Sequence, residues 1–145
     1  YSEELSETLA FVLAGLKTKR AFVVHGSGYD EVALTGPTLT FKVEKGKVEK
    51  TELNPKDLGF KICKEEDLKV NNPTESGEII QKILKGEEKG PKRDVVLLNA
   101  GLAIYANGKA DSIEKGIEMV RESIDSGKAL EKLEQLIKES KIWVF

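Results

Sequence analysis

A run of twelve residues that is apolar almost throughout, Val95 to Ala106, most constrains what this chain can fold into. Such a run is buried on every side, so periodicity alone cannot separate a strand from a helix. Twelve residues exceed the usual length of a buried strand. Pro91 ahead of the run is typical of a helix start, and Asn107-Gly108 of a helix end. We therefore predict a buried helix.

The beginning of the chain predicts an α/β fold. Ser2 can cap a helix whose apolar stripe is formed by Leu5, Leu9, Val12, Leu13 and Leu16, and which ends near the cationic stretch KTKR. The short apolar run from Ala21 to Val24 predicts a fully buried strand. Helix, short loop and buried strand together favour a sheet of mostly parallel strands with flanking helices.

The rest of the chain predicts a hairpin followed by more helices. Alternating apolar residues in 39–43, a turn at EKGK and a more polar run in 48–53 indicate two paired strands. A helix with an isoleucine-rich stripe follows Asn72-Pro73. Asp111 and Glu114 form a possible capping box for the next helix, and the last helix is expected to begin at Asp125 or Ser126.

Composition excludes several classes of protein. The chain of 145 residues has the length of one domain, 1–145, and a net charge of −2, whereas a nucleic-acid surface would show a basic excess. It contains no signal peptide and no apolar run of transmembrane length, so we expect a cytoplasmic protein without membrane contact. Because it begins at Tyr1 without a methionine, we expect a piece of a longer chain. The apolar tail 141–145, KIWVF, is either a docked terminal strand or a partner surface.

Three sequence features that could carry chemistry are weak. The glycine-rich loop after the first strand lacks the following helix that a phosphate cradle requires. His25 either ends a strand and hydrogen-bonds locally, which we favour, or acts in catalysis. Cys63 has no disulfide partner in the chain and no identifiable activating base, so we interpret it as a small, partly buried residue.

Two adjacent carboxylates, Asp30 and Glu31, are stronger candidates. They follow Gly26 and Gly28 at the carboxyl end of the predicted parallel strand, the edge at which ligands bind in open α/β sheets. A carboxylate pair in a surface turn is usually innocuous. Hard oxygen ligands at a binding edge, however, suit Mg²⁺, which prefers few carboxylates, several waters and substrate phosphates. Asp30 and Glu31 are therefore candidate magnesium ligands.

Two separated motifs give the chain a family resemblance. The segment RAFVVHGSGYDEVALTGPT is similar to the strand, loop and Asp-Glu segment of anthranilate phosphoribosyltransferases. The patterns GP-RD-VLLNA and A--S-GKAL-KLE, within residues 72–136, resemble that family's carboxyl-terminal helices. The resemblance extends from Tyr1 to about Ser140.

The resemblance implies a fold and a function. It implies part of the larger α/β domain of the nucleoside phosphorylase/phosphoribosyltransferase fold. It also implies transfer of a phosphoribosyl group from phosphoribosyl pyrophosphate to anthranilate in tryptophan biosynthesis, with Asp30 and Glu31 holding Mg²⁺ as cofactor. The family's GTGGD and KHGN motifs have no counterpart in this chain. We therefore expect the carboxyl-terminal half of such an enzyme, inactive alone, completed by an amino-terminal half or a partner chain, and a homodimer when complete.

Two alternatives stay open. One is a fragment of a related pyrimidine nucleoside phosphorylase, which would cleave nucleosides with inorganic phosphate. The other is a non-catalytic interaction domain that associates through exposed apolar surface.

Overall fold

The computed structural model describes residues 2–140, so the prediction for the tail KIWVF lies outside the described residues. One small sheet follows the first helix, and the remaining helices follow the sheet. The helices and strands are, in chain order, α1 Glu3–Gly15, β1 Arg20–His25, β2 Thr38–Glu44, β3 Lys47–Leu53, a 3₁₀-helix at Pro55–Leu58, α2 Glu65–Leu68, α3 Pro73–Leu84, α4 Pro91–Asn107, α5 Ile113–Asp125 and α6 Lys128–Ser140.

The sheet is antiparallel, which confirms the α/β class but not the prediction of mostly parallel strands. Its three strands lie in the order β1-β2-β3, and Val23 faces Phe41 across the first pair. The predicted hairpin is confirmed, with Lys45 (φ 52°) and Gly46 (φ 76°) in its turn. Parallel pairing requires a crossover connection, usually a helix, whereas β1 and β2 are joined by an irregular loop, residues 26–37.

The prediction that β1 is fully buried is also wrong. All six of its residues are half-buried. In the part of the chain that the structure describes, β1 pairs with β2 alone and forms an edge of the sheet. Its side chains alternate between two clusters: Val23 packs beside Phe41 under α1, and Phe22 and Val24 pack against the helical side.

The predicted buried helix is confirmed as α4. Leu97 and Leu98 are fully buried in the larger of the two core clusters. Helix α5 crosses α4 so closely that a Cβ atom on Gly116 would collide with the carbonyl oxygen of Gly101. No helix within residues 2–140 is long and apolar enough to cross a membrane.

The helix ends differ from the predictions by a few residues. Ser112, rather than Asp111, caps α5 by accepting a hydrogen bond from the Lys115 N–H at 3.3 Å. Helix α6 begins at Lys128, because Gly127 adopts a left-handed φ of 81° that separates it from α5. Ser2 caps α1 as predicted.

Candidate metal-binding turn

A tight turn follows β1 directly. The Gly26 N–H donates to the Tyr29 carbonyl at 3.1 Å, and the Tyr29 N–H donates to the Gly26 carbonyl at 3.0 Å. Ser27 (φ 50°) and Gly28 (φ 97°) occupy the two central positions, and positive φ at both positions is the signature of a type I′ turn. This turn places Asp30 and Glu31 immediately after the point at which the chain reverses.

Gly26 is buried because the chain returns onto it. A Cβ atom at this position would collide with the Glu31 carbonyl oxygen and would lie 2.9 Å from both the Cβ and the N of Ala33. A glycine is thus required for the close approach of the two stretches of backbone. The main chain of Glu31 is packed against the end of β1.

Residues Val32–Leu34, which we call the anchored segment, follow the carboxylates. They are at most 2% exposed, although they belong to no strand. Three different parts of the chain hold the segment by hydrogen bonds. The Ala33 N–H donates to Thr38 Oγ1 at 2.9 Å, and the Leu34 carbonyl accepts from the Cys63 N–H at 3.2 Å.

Asn99, in the middle of α4, holds the first residue of the anchored segment. Its Oδ1 accepts from the Val32 N–H at 2.9 Å, and its Nδ2 donates to the Val32 carbonyl at 2.9 Å. The same Nδ2 donates to the Val95 carbonyl at 3.0 Å, which fixes the side chain on its helix. The carboxamide therefore takes the place of a strand neighbour for Val32 and satisfies both of its backbone polar groups.

Asp30 and Glu31 themselves are exposed, between the turn and the anchored segment. Charge of both signs lies around them: a hydrogen bond to a positively charged group lowers the pKa of Asp30, whereas Tyr29 lies among carboxylates. Desolvation raises the pKa of the Tyr29 hydroxyl, and the charges of nearby groups, including Glu65, Glu31 and Glu66, raise it further. Clustered negative charge at a surface attracts cations.

The carboxylate pair can supply only part of a metal site. Within residues 2–140, no three His, Cys, Asp or Glu side chains come together in a way that could hold a metal ion. Mg²⁺ is commonly held by one or two carboxylates, with waters and substrate phosphates completing its octahedron. The donor set of Asp30 and Glu31 fits that pattern and does not fit an all-protein cage.

The surroundings of His25 and Cys63 indicate structural roles for both residues rather than catalysis. His25 is the last residue of β1, opposite Leu39, and is half-buried. Desolvation, with the nearby charge of Asp67, raises the pKa of the Cys63 thiol. A raised pKa keeps the thiol protonated at neutral pH and makes it a poor nucleophile.

Asn99 and Thr38 are functional residues that the sequence alone does not point to. Thr38 is fully buried, and Asn99 is half-buried among apolar neighbours. A signal for Asn99 was present, because it is the only strongly polar side chain in the apolar run from Val95 to Ala106. Buried polar groups are nearly always hydrogen-bonded, so a polar side chain at this position predicts a partner elsewhere in the fold.

The fold is that of a known protein family. Residues 1–130 match the model of the glycosyl transferase family, a/b domain, and the chain belongs to that family. The particular enzymes that it resembles are anthranilate phosphoribosyltransferases. The enzyme of Methanocorpusculum labreanum is 47% identical over 137 residues, which are 94% of this chain and 40% of the relative. That of Exiguobacterium sibiricum is 43% identical over the same shares of the two chains.

Solved structures agree with these relatives. The anthranilate phosphoribosyltransferase of Thermus thermophilus superimposes with a TM-score of 0.84 at 39% identity, over 93% of this chain and 40% of the other. The Saccharomyces cerevisiae enzyme in complex with PRPP and Mg superimposes with a TM-score of 0.85 at 27% identity, over 95% of this chain and 40% of the other. This chain therefore spans about 40% of the length of the relatives that it matches.

Proposed function

We propose that the full-length protein is an anthranilate phosphoribosyltransferase and that this chain supplies its magnesium carboxylates, Asp30 and Glu31. The observation that carries the proposal is the fixed turn after β1. It presents two exposed carboxylates on a main chain that is held on both sides, in a chain 47% identical to an enzyme of that name.

The proposed reaction exchanges one bond at the ribose carbon and releases one proton. The amino nitrogen of anthranilate bonds to the ribose carbon, the bond from that carbon to pyrophosphate breaks with its electron pair leaving on pyrophosphate, and the amine loses a proton to solvent. A bound Mg²⁺ supplies neutralisation of the negative charge that grows on the leaving group. Asp30 and Glu31 would hold the cation, on a backbone that the turn and the hydrogen bonds of Val32 fix in place.

The proposed partners follow from the same relatives. The full-length protein binds phosphoribosyl pyrophosphate and anthranilate, and residues outside this chain provide the contacts that its own side chains do not. The homodimer stays a prediction.

The double variant Asp30→Asn with Glu31→Gln in the full-length protein tests the proposal. It keeps the size of both side chains and removes both charges. We expect at least about a tenfold rise in the Mg²⁺ concentration that gives half-maximal turnover with phosphoribosyl pyrophosphate and anthranilate, in line with the loss of metal ligands.

A matched control removes a neighbouring pair of charges. Glu65 and Glu66 contribute to the same negative potential at Tyr29 but lie on α2. The variant Glu65→Gln with Glu66→Gln should leave the Mg²⁺ dependence within about twofold of the wild type, because screened charges without ligation act weakly. Unchanged Mg²⁺ dependence in the Asp30/Glu31 variant would refute the site. Phosphorolysis of thymidine or uridine without anthranilate transfer would instead support the nucleoside phosphorylase alternative.

A further inference from the structure

We propose that Asn99 is a positioning residue for the magnesium carboxylates, acting through the backbone of Val32. The inference rests on the proposed function of Asp30 and Glu31. It deepens that function by assigning a residue of α4, 68 positions after Glu31 in the sequence, to the same site.

The backbone of Val32 connects Asn99 to Glu31. Glu31 is bonded directly to Val32, and both hydrogen bonds of Val32 go to one side chain, at 2.9 Å each. Rotation of the peptide between Glu31 and Val32 would break the bond from the Val32 N–H to Asn99 Oδ1. Asn99 therefore restricts the backbone torsion that directs the Glu31 carboxylate.

The carboxamide of Asn99 acts as both a donor and an acceptor at this position. The carboxamide uses its oxygen for Val32 and its nitrogen for both Val32 and Val95, so its orientation is fixed by three hydrogen bonds. A carboxylate of the same shape retains the acceptor but has no donor for the two carbonyls. An aliphatic side chain of the same shape provides neither. The position requires both halves of a carboxamide.

The backbone before the two carboxylates is held in place without Asn99. The turn from Gly26 to Tyr29 is closed by its own two backbone hydrogen bonds. Loss of Asn99 should therefore leave the turn intact and loosen only the downstream side of the carboxylate pair, where the rest of the anchored segment keeps its hydrogen bonds to Thr38 and Cys63. Partial freedom of this kind weakens metal binding without abolishing it, as removal of groups that orient metal ligands typically does.

The test measures metal binding directly in the full-length protein. Mn²⁺ is titrated without substrate, and the free ion is counted by electron paramagnetic resonance, so the readout does not depend on turnover. We expect Asn99→Leu and Asn99→Asp to weaken Mn²⁺ binding about tenfold. Asn99→Gln, which retains the donor and the acceptor on a longer stem, should recover part of the loss.

A destabilised control separates positioning from folding. Leu102→Ala removes a buried side chain from the same helix, and the hydrogen bonds of Asn99 do not involve Leu102. This variant should lose stability with unchanged Mn²⁺ affinity in the folded fraction. Each affinity is measured below the onset of unfolding, so a variant that folds poorly is compared at a lower temperature with the wild type.

The outcomes are distinguishable. Wild-type affinity in folded Asn99→Leu and Asn99→Asp, or a loss no greater than that of Leu102→Ala, would overturn the inference and leave the metal site in place. Unchanged Mn²⁺ binding in Asp30→Asn with Glu31→Gln would refute the proposed metal site, and the role of Asn99 would be refuted with it.

Discussion

At the scale of the residue, Gly26 controls the position of the chain that carries the carboxylates. Any side chain there would meet the Glu31 carbonyl and the backbone of Ala33, which cannot rotate away as a flexible side chain can. We expect Gly26→Ala to lower the free energy of unfolding by about 1–3 kcal/mol, the usual cost of forcing an extra methyl group into a packed site. Urea unfolding of the purified protein measures the change.

Gly36 is the matched control, since it lies in the same loop. A Cβ atom at Gly36 would have no heavy atom within 4 Å, and its φ is not in the left-handed region. Gly36→Ala should therefore be neutral or slightly stabilising, because it removes conformational freedom from the unfolded chain. Equal losses of stability in the two variants would show that the packing onto Gly26 is not what holds the loop.

The same site shows how far sequence reasoning extends at this scale. Asp30 and Glu31 could be proposed as ligands from their residue types, although the strand before them, which was predicted to be parallel, is antiparallel. Asn99 and Thr38 could not, because their roles depend on contacts 67 and 5 residues away along the chain. A single sequence carries no information about which buried polar group meets which backbone amide.

At the scale of the element, the crossing of α4 and α5 depends on two glycines. A Cβ atom at Gly101 would lie 2.5 Å from Ile117 Cγ1 and 2.9 Å from the Ile117 nitrogen. The backbones are in contact at this point, so the helices cannot accommodate a methyl group without separating. Because these two helices carry much of the larger core, including Leu97, Leu98 and Val120, separation would disturb the packing around it.

We expect Gly101→Ala and Gly77→Ala, both inside helices, to have opposite effects. Gly101→Ala should destabilise the protein by at least about 2 kcal/mol through overpacking. A Cβ atom at Gly77, in α3, would have no heavy atom within 4 Å, so Gly77→Ala should stabilise the protein by about 0.5–1 kcal/mol through helix propensity. Thermal unfolding of both variants shows whether each substitution lowers or raises the stability of the protein. Stabilisation by Gly101→Ala would contradict the close crossing.

Helices were easier to predict from the sequence than strand directions. The length and the flanking residues of the run from Val95 to Ala106 were sufficient to predict α4. The direction of β1 was predicted wrongly because a short apolar run can belong to either kind of sheet. Pairing depends on the connection, and residues 26–37 contain no signal for a crossover helix.

At the scale of the whole molecule, much of the apolar stripe on α1 is not buried against the rest of the described residues. Ala10 is buried against the sheet and Leu13 packs beside it. Leu9 is 44% exposed, Val12 50% and Leu16 71%. The predicted stripe is thus a helical feature that the described residues cover only in part. Contiguous exposed apolar surface of this kind favours association.

We expect the isolated chain to self-associate through this face of α1. It spans about 40% of the length of its relatives, so surface that is covered in a longer protein can be open in the chain alone. Val12 and Leu16 lie one helical turn apart on the same face. Val12→Lys with Leu16→Lys should weaken association at least about tenfold, since burial of either side chain contributes more than about 1.4 kcal/mol. Met119→Lys, on α5, replaces a side chain that is 39% exposed and should not change association. Sedimentation velocity over a range of concentrations measures all three chains, and a wild-type chain that stays monomeric throughout would contradict the expectation.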